Sequence, residues 1–337
     1  MQDFIYQNEA NNELDQLAVL RPQSLDGFIG QQRNKENLKI FIEAARKRQQ
    51  VMDHVLISGP PGLGKTTLAK IISNEMQGEF VPTTAPALEK SGDLAAILTG
   101  LEKGSIFFID EIHRLRPVLE EVLYSAMEDY AIDIIIGQGA GAKTVKINLN
   151  PFTLVGATTR AGMLSAPLRT RFGIDLRVDF YELADLEDIL VAKAGTLGIK
   201  LAKESVQEIA RRSRGTPRIL LRLLKRIWDF ATVAGKAEID LAITQKALKQ
   251  MGIDGLGLSL EDKKILDIIV RDYQGGPVGL QTLAIALGDS EDSIQDIYEP
   301  FLIRNGFLQK TPRGRVATAK AYQYLGLKPL TDEKDLF

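Results

Sequence analysis

Apolar positions in the first half of the chain form two kinds of pattern. Residues 54–58, 105–109 and 152–157 are predominantly apolar stretches of strand length, whereas residues 34–48 repeat their apolar positions at helical spacing. A continuous apolar stretch is typical of a parallel strand that helices cover on both faces. The alternation of the two patterns therefore predicts an α/β domain with a parallel sheet.

Residues 132–149 follow a different period. Ile132, Ile134 and Ile136 keep a two-residue spacing, and Val145 and Ile147 do so again after a tip of small residues. This pattern predicts a β-hairpin. Such a hairpin is either only a protruding connection or, if its apolar side chains are exposed, a docking surface for a partner.

The second half of the chain is mainly helical. Its periodicity predicts helices near residues 186–197, 205–214, 219–234, 244–251, 280–287, 290–305 and 319–325. Residues 252–257 are rich in glycine and mark a boundary, after which Ser259 opens a new helix with a capping box. Residues 307–318 form a small hairpin before the last helix. Helices followed by a two-stranded wing predict a winged-helix domain.

Composition narrows the class of protein. A length of 337 residues, with 45% hydrophobic and 26% charged residues, predicts a soluble protein of two or three domains. The absence of cysteine excludes disulfides, two histidines are too few for a zinc cluster, and no apolar stretch approaches membrane length. The start of the sequence lacks signal-peptide character. We therefore expect a cytoplasmic protein without a membrane partner.

The most informative motif lies between a predicted strand and a predicted helix. Gly59 and Gly64 bracket four positions, and Lys65 and Thr66 follow directly. Glycines let backbone N–H groups curl around phosphate, Lys65 can reach the β- and γ-phosphates, and the Thr66 hydroxyl can ligate Mg²⁺. The alternative is a turn that only joins strand to helix. The strand–loop–helix context favours a P-loop that binds ATP.

Polar residues follow two other buried strands. Asp110 and Glu111 end the second apolar stretch, at the edge where open parallel sheets bind ligands. Asp110 fits a role in holding Mg²⁺, and Glu111 fits the base that orients the attacking water. The alternative is a pair of acids that complements a helix dipole. Thr158 and Thr159, after the third strand, are expected beside the γ-phosphate.

Two arginines, Arg171 and Arg218, are further candidates for contact with nucleotide. Arg171 cannot easily reach its own P-loop, so it either acts on a neighbouring subunit or is an ordinary surface residue. Arg218 lies near the start of a helix, where a cation opposes the dipole and calls for an anionic partner.

Residues 300–331 carry six basic residues and no acid. This stretch indicates DNA phosphate binding, with a basic solubilising tail as the alternative.

Taken together, these motifs resemble those of the RuvB family, AAA+ motors that drive branch migration of Holliday junctions. The resemblance covers roughly residues 14 to 328. It rests on segments 59–67, 110–115, 156–160, 167–173, 214–218, 275–280 and 306–315. P-loops alone are widespread, but their combination with segment 275–280 and with the wing sequence at residues 311–315 is specific.

The resemblance implies a P-loop AAA+ core, a helical lid and a winged-helix domain, at residues 1–181, 182–254 and 255–337. It implies ATP or ADP and Mg²⁺ as cofactors, with Lys65, Asp110, Glu111 and Arg171 as catalytic residues. Around the nucleotide it places Leu20, Arg21, Gly62, Gly64, Lys65, Thr66, Thr67, Glu128, Asp129, Tyr130, Thr158, Thr159, Arg171, Tyr181 and Arg218. It implies Thr66 and Asp110 as the metal ligands. Which of Thr158 and Thr159 is sensor 1 stays open.

The partners implied are duplex DNA at four-way junctions, RuvA and the resolvase RuvC. Lys310, Arg313 and Arg315 would contact the DNA backbone, the hairpin at residues 132–149 would dock RuvA, and the subunits would form a homohexamer on DNA. Glu291 and Asp292 depart from the basic character expected of relatives, and the acidic ending at residues 332–337 has no assigned role.

The implied activity is ATP hydrolysis that drives branch migration in recombination and DNA repair. The alternative is an AAA+ ATP switch on DNA of the clamp-loader or initiator type. Two further alternatives are a protein-remodelling ATPase, which the acid-free wing disfavours, and a nucleotide-gated binding module, which the presence of Glu111 and Arg171 disfavours.

Overall fold

The computed structural model describes residues 21–136 and 143–328. The chain divides into two compact units, with the boundary in the sequence between Asp185 and Leu186. The first unit contains the predicted P-loop, and the second contains the helical stretch and the wing.

The first unit is built on a five-stranded parallel sheet. Its strand order is β2-β3-β6-β1-β7, and every neighbouring pair is parallel. The strands are β1 (Val55–Ser58), β2 (Phe80–Thr84), β3 (Ile106–Asp110), β6 (Thr153–Thr158) and β7 (Ile174–Arg177). Since all strands run the same way, the residues that follow β1, β3 and β6 lie along one edge of the sheet.

Helices pack around this sheet. Among the described residues of the first unit, α1 (Gln32–Arg48) precedes β1, and α2 (Lys65–Met76), α3 (Ser91–Gly100), α4 (Pro117–Glu128) and α5 (Ala166–Thr170) lie between strands. Every residue of β6 is buried, and Val55, Leu56 and Ile57 of β1 are fully inaccessible. Burial of both faces explains why these strands are almost entirely apolar, as predicted.

Two elements of the first unit were absent from the sequence prediction. Helix α4 begins at Pro117, a residue suited to a first turn, and buries Leu119 and Leu123 at helical spacing. Strand β7 is short and alternates buried and exposed residues at the sheet edge. Both elements bear on the functional site, because α4 contacts Arg171 and β7 flanks the P-loop strand.

The predicted hairpin consists of β4 (Ala131–Ile136) and β5 (Lys143–Asn148). The strands are antiparallel, with Ile132 opposite Ile147 and Ile134 opposite Val145. Ile132 is buried against the core, whereas Val145 is 41% exposed. The small-residue tip at residues 137–142 lies outside the described residues.

The second unit begins with a helical part, as predicted. Its helices are α6 (Leu183–Thr196, which starts at the end of the first unit), α7 (Lys203–Arg212), α8 (Pro217–Val233) and α9 (Leu241–Gln250). A small parallel pair, β8 (Lys200–Leu201) with β9 (Glu238–Ile239), was not predicted. The buried residues of this helical part include Leu190, Ile209, Leu220, Ile227 and Leu248.

The rest of the second unit is a winged helix. Its helices are α10 (Leu260–Asp267), α11 (Leu280–Leu287), α12 (Glu291–Ser293), α13 (Glu299–Arg304) and α14 (Ala319–Tyr324), and π-helical segments Ile268–Asp272 and Ile294–Tyr298 follow α10 and α12. The wing is the antiparallel pair β10 (Leu308–Thr311) and β11 (Gly314–Ala317). The predicted capping box at Ser259 and Asp262 is present. Within residues 21–136 and 143–328, no helix is long and apolar enough to span a bilayer.

Candidate nucleotide-binding site

The turn between β1 and α2 requires glycine at two places. A Cβ on Gly59 would lie 2.2 Å from the carbonyl oxygen of Val178, so a side chain there would collide with the backbone after β7. Gly64 precedes α2 with a φ of +100°, a conformation that side chains disfavour. Gly62 also has a positive φ. The turn therefore presents backbone N–H groups at the start of a helix, as a phosphate site needs.

Lys65 and the following threonines occupy the first turn of α2. The Lys65 ammonium donates hydrogen bonds to the carbonyl oxygens of Gly59 at 2.7 Å and Pro60 at 3.0 Å. The side chain thus lies along the inside of the loop, where a phosphate would bind. Thr66 and Thr67 are half-buried beside it.

Thr66, in the first turn of α2, and Asp110, at the end of β3, lie close together at the edge of the sheet. The Thr66 hydroxyl lies 3.5 Å from Asp110 Oδ2, although 44 residues separate them in sequence. Hydroxyl and carboxylate oxygens are ligands that Mg²⁺ accepts, and this ion takes its remaining ligands from phosphate and water. Among the described residues, no group of three or more histidine, cysteine or acidic side chains is placed to hold a metal without such help.

Glu111 is held in an unusual backbone conformation. Its φ is +51°, and its N–H donates to Asp110 Oδ1 at 3.0 Å. The Thr159 hydroxyl donates to Glu111 Oε2 at 3.3 Å, and His113 Nδ1 lies 3.4 Å from the same oxygen. A carboxylate fixed at the carboxyl edge of the sheet, next to a P-loop, can orient a water for attack on phosphate.

His113 is a site residue that the sequence did not reveal. Its side chain is only 4% exposed, and Nδ1 lies 3.0 Å from the Thr158 hydroxyl as well as near Glu111. The hydroxyl of Thr158, a fully buried residue, also accepts a hydrogen bond from the Arg160 N–H. His113 therefore links the ends of β3 and β6, and Thr159 rather than Thr158 contacts Glu111.

Tyr181 lies against the P-loop from the end of the first unit. Its hydroxyl donates to the Leu63 carbonyl at 3.2 Å, and burial raises the pKa of this phenol, so it remains a donor. Its ring also packs beside Gly30. Arg21 is the first described residue and is half-buried, and Leu20 lies outside the described residues.

Arg171 contacts α4 and α5 rather than the P-loop. Its guanidinium lies 4.4 Å above the Tyr124 ring centroid, 3.0 Å from Glu128, and donates to the Pro167 carbonyl at 2.8 Å. Asp129 pairs loosely with Lys146 of the hairpin. Tyr130 packs edge-on against the Phe152 ring. The structure thus brings Glu128 together with Arg171.

Arg218 occupies the first turn of α8, directly after Pro217, and is exposed. It belongs to the second unit. The predicted position near a helix N-terminus is therefore correct, and its approach to nucleotide remains a prediction.

The three predicted DNA contacts differ in the wing. Lys310 and Arg313 are exposed on β10 and the turn after it. Arg315 is 7% exposed and forms an ion pair with the buried carboxylate of Glu299. The expectation that Arg315 contacts the DNA backbone beside the other two does not match this placement, because its guanidinium is committed to the domain interior.

Family models match almost the whole chain. Residues 20–178 match the Holliday junction DNA helicase RuvB P-loop domain, residues 181–254 the RuvB AAA lid domain, and residues 255–326 the RuvB C-terminal winged helix domain.

Individual relatives agree with these models. A Holliday junction branch migration complex subunit RuvB of Treponema denticola is 56% identical over 323 residues, which cover 96% of this chain and 94% of the relative. The protein of the same description from Rubrobacter xylanophilus is 52% identical, with 95% and 90% covered. The solved Thermotoga maritima RuvB Holliday junction branch migration motor has a TM-score of 0.84 at 50% identity, and the match covers 92% of this chain and 99% of that one.

Proposed function

This chain belongs to the RuvB family, and we propose that it is the ATP-hydrolysing motor subunit of a complex that drives branch migration of Holliday junctions in recombination and repair. The observation that carries the proposal is the P-loop, with Thr66 3.5 Å from Asp110, on the same chain as a winged helix whose tip exposes Lys310 and Arg313. The names of its relatives favour branch migration over an ATP switch of the clamp-loader or initiator type.

We propose the following roles at the ATP site. The glycine turn and Lys65 bind the β- and γ-phosphates, and Leu20, Arg21 and Tyr181 line the rest of the nucleotide. Thr66 and Asp110 hold Mg²⁺, which neutralises phosphate charge when bound. Glu111 orients the attacking water in line with the γ-phosphate. Its contact with the Thr159 hydroxyl supports Thr159 as the residue that senses the γ-phosphate.

Arg171 is proposed to complete the site of a neighbouring subunit. Its guanidinium contacts Tyr124 and Glu128 on α4 and Pro167 on α5, which supports action away from its own P-loop. Glu128, which contacts Arg171, and the adjacent Asp129 and Tyr130 would face the neighbour's nucleotide. An arrangement of this kind requires adjacent subunits, and we propose a homohexamer on DNA. Arg218 would contact nucleotide from the lid.

DNA and protein partners follow from the remaining surfaces. The exposed Lys310 and Arg313 are proposed to contact duplex phosphates near the four-way junction. The hairpin formed by β4 and β5 is proposed to dock RuvA, with exposed Val145 among its contacts. RuvC is a further proposed partner. The domains would be an ATPase core at residues 1–181, a lid at 182–254 and a DNA-binding head at 255–337.

ATPase measurements test this function. We expect turnover to rise when duplex DNA and the junction-binding partner are both present, and to be lost in Lys65→Ala, which removes phosphate binding. Glu111→Gln should bind ATP without turning it over. Turnover that ignores DNA and partner at low salt would contradict a DNA motor and leave an ATPase of another kind.

A subunit-mixing experiment tests the role of Arg171. Arg171→Ala protein keeps an intact P-loop, and Lys65→Ala protein keeps an intact arginine. A mixture of the two inactive proteins should regain part of the wild-type turnover, because each Arg171→Ala site can receive an arginine from a Lys65→Ala neighbour. A mixture that stays inactive would contradict action across the subunit interface.

A further inference from the structure

We propose that Glu120, Tyr124 and Ser165 are positioning residues that hold the Arg171 guanidinium ready for the neighbouring subunit's ATP site. This inference rests on the proposed function of Arg171 in a neighbour's site. We refer to the three residues as the arginine clamp. Its members come from α4 and from the residue before α5, and none of them lies in the sequence motifs that mark the ATP site.

The ring of Tyr124 is the platform of the clamp. The guanidinium carbon of Arg171 lies 4.4 Å from the ring centroid, within the range of a cation–π contact. Arg171 Nη1 donates to the Pro167 carbonyl at 2.8 Å. Its Nε is buried and has no hydrogen-bond partner among the described residues. The ring and one carbonyl therefore hold the guanidinium on the protein side, Glu128 contacts its Nη2 at 3.0 Å, and only 21% of the side chain is exposed.

Tyr124 is itself fixed by a buried acid. Its hydroxyl donates to Glu120 Oε2 at 3.0 Å and lies 3.1 Å from Ser165 Oγ. The Ser165 hydroxyl donates to the same oxygen of Glu120, which is only 8% exposed. A buried carboxylate is costly unless hydrogen bonds satisfy it, so these two donors stabilise one arrangement of the cluster.

Ser165 connects the cluster to the backbone that carries the arginine. Its Oγ accepts a hydrogen bond from the Leu168 N–H at 3.3 Å and so caps the N-terminus of α5. Arg171 directly follows this short helix. The clamp therefore fixes both ends of Arg171, the guanidinium through Tyr124 and the backbone through Ser165.

The contact between Arg171 and Glu128 has a different character. The Glu128 side chain is 59% exposed, and exposed ion pairs contribute little stability. A phosphate from a neighbouring subunit can replace this carboxylate while the ring contact persists. The nearby Arg169 shows the contrast, because its side chain is 55% exposed and lies 3.6 Å from Asp175. A preordered arginine loses less conformational entropy when it engages the phosphate.

The steady-state kinetics of Tyr124 variants are the first test of the clamp. Tyr124→Leu removes the aromatic ring on which the Arg171 guanidinium lies. We expect kcat for ATP to fall roughly ten- to a hundredfold, because a misplacement of about 1 Å can cost that much, while the KM for ATP stays unchanged. Tyr124→Phe keeps the ring and should retain more activity than Tyr124→Leu. Val118→Ala, on the exposed face of the same helix, is the matched control and should behave as wild type.

The defect should follow the subunit that donates the arginine. Tyr124→Leu protein mixed with Lys65→Ala protein should regain turnover, because Lys65→Ala subunits donate a well-placed Arg171. Tyr124→Leu protein mixed with Arg171→Ala protein should not regain turnover, because neither kind of subunit then donates a well-placed Arg171. Equal recovery of turnover in the two mixtures, or no recovery in either mixture, would overturn the clamp.

The mixture of Arg171→Ala with Lys65→Ala is the reference for both outcomes. If that mixture regains turnover and Tyr124→Leu fails the pattern above, only the clamp is overturned. If the reference mixture itself stays inactive, action of Arg171 across the interface is overturned, and the clamp with it. Thermal unfolding of Tyr124→Leu should match that of the wild type within a few degrees, and a large loss of stability alongside absent rescue would support the structural role instead.

Discussion

The carboxylate of Glu299 and the guanidinium of Arg315 form a buried ion pair within the winged helix. The two side chains are 5% and 8% exposed, and they join α13 to the strand β11. The basic residues of the wing therefore differ in their surroundings. Arg315 is buried inside the domain, whereas Lys310 and Arg313 keep their charges on the surface, where we propose that they contact a phosphate backbone.

Removal of one partner of this pair should destabilise the winged helix. Arg315→Met leaves the Glu299 carboxylate buried without its counter-ion, a change that typically costs about 3–5 kcal/mol. Denaturant unfolding of the full chain measures the effect. The double variant Glu299→Leu with Arg315→Met should recover most of the loss, since no charge then remains buried. Unchanged stability in Arg315→Met, together with weaker DNA binding, would show that Arg315 faces DNA.

Charge removal at the wing tip should weaken DNA binding in a salt-dependent way. Each phosphate contact contributes roughly 0.9 to the slope of log affinity against log salt, so Lys310→Ala with Arg313→Ala should flatten the slope by up to about two. Lys246→Ala with Lys249→Ala removes two exposed charges from α9 and is the matched control. An unchanged slope in the wing variant would exclude the wing as the phosphate contact.

Replacement of His113 should slow hydrolysis without preventing nucleotide binding. His113 lies 3.4 Å from the Glu111 carboxylate and 3.0 Å from the Thr158 hydroxyl, and Glu111 has a strained backbone that needs such support. We expect His113→Ala to lower kcat roughly tenfold through misplacement of Glu111. The exposed Arg114→Ala next to it should have little effect. Loss of ATP binding in His113→Ala would instead indicate a structural role.

His54 should remain neutral at pH values where an exposed histidine is charged. Burial lowers the pKa of His54 below its ordinary 6.5. Its Nδ1 accepts a hydrogen bond from the Leu154 N–H at 2.8 Å, and its Nε2 lies 3.1 Å from the Met127 carbonyl oxygen. Below pH 6.5 the unfolded chain binds a proton that the folded chain does not. The contribution of neutral His54 to the free energy of unfolding is therefore fully present above pH 6.5, and it decreases as the pH falls toward the lowered pKa.

Nitrogen NMR of the imidazole tests this directly. The Nε2–H tautomer should persist below pH 6.5, and the unfolding free energy of the wild type should fall with pH by up to about 1.4 kcal/mol per pH unit more than that of His54→Gln. An imidazolium signal at pH 6.5 in the folded protein would contradict the expectation.

The elements that the sequence predicted are those whose signals are local. The P-loop is recognisable because the residues that define it, from Gly59 to Thr66, are adjacent in sequence. Asp110 and Glu111 follow directly from the end of a buried strand. The wing and its capping box at Ser259 are likewise short-range patterns.

Residues whose roles depend on distant partners were not predictable in this way. His113 reaches Thr158 only because β3 pairs with β6, across 45 residues of sequence. Arg315 resembles its exposed neighbours in sequence, and only its pairing with Glu299 shows that it is buried. Tyr124 contacts Arg171 through the packing of two helices. Helix α4 is an instructive exception, because Leu119 and Leu123 carry a local helical signal that the prediction did not use.

The central claim is that ATP hydrolysis at this site moves a four-way junction. The most direct measurement is the ATP-dependent conversion of a synthetic four-way junction into duplex products, with the junction-binding partner present. We expect the wild type to convert the junction in proportion to the ATP consumed, and Glu111→Gln to bind the same junction and ATP without converting it. Hydrolysis of ATP by the wild type with no conversion, or conversion by Glu111→Gln at the wild-type rate, would contradict the account.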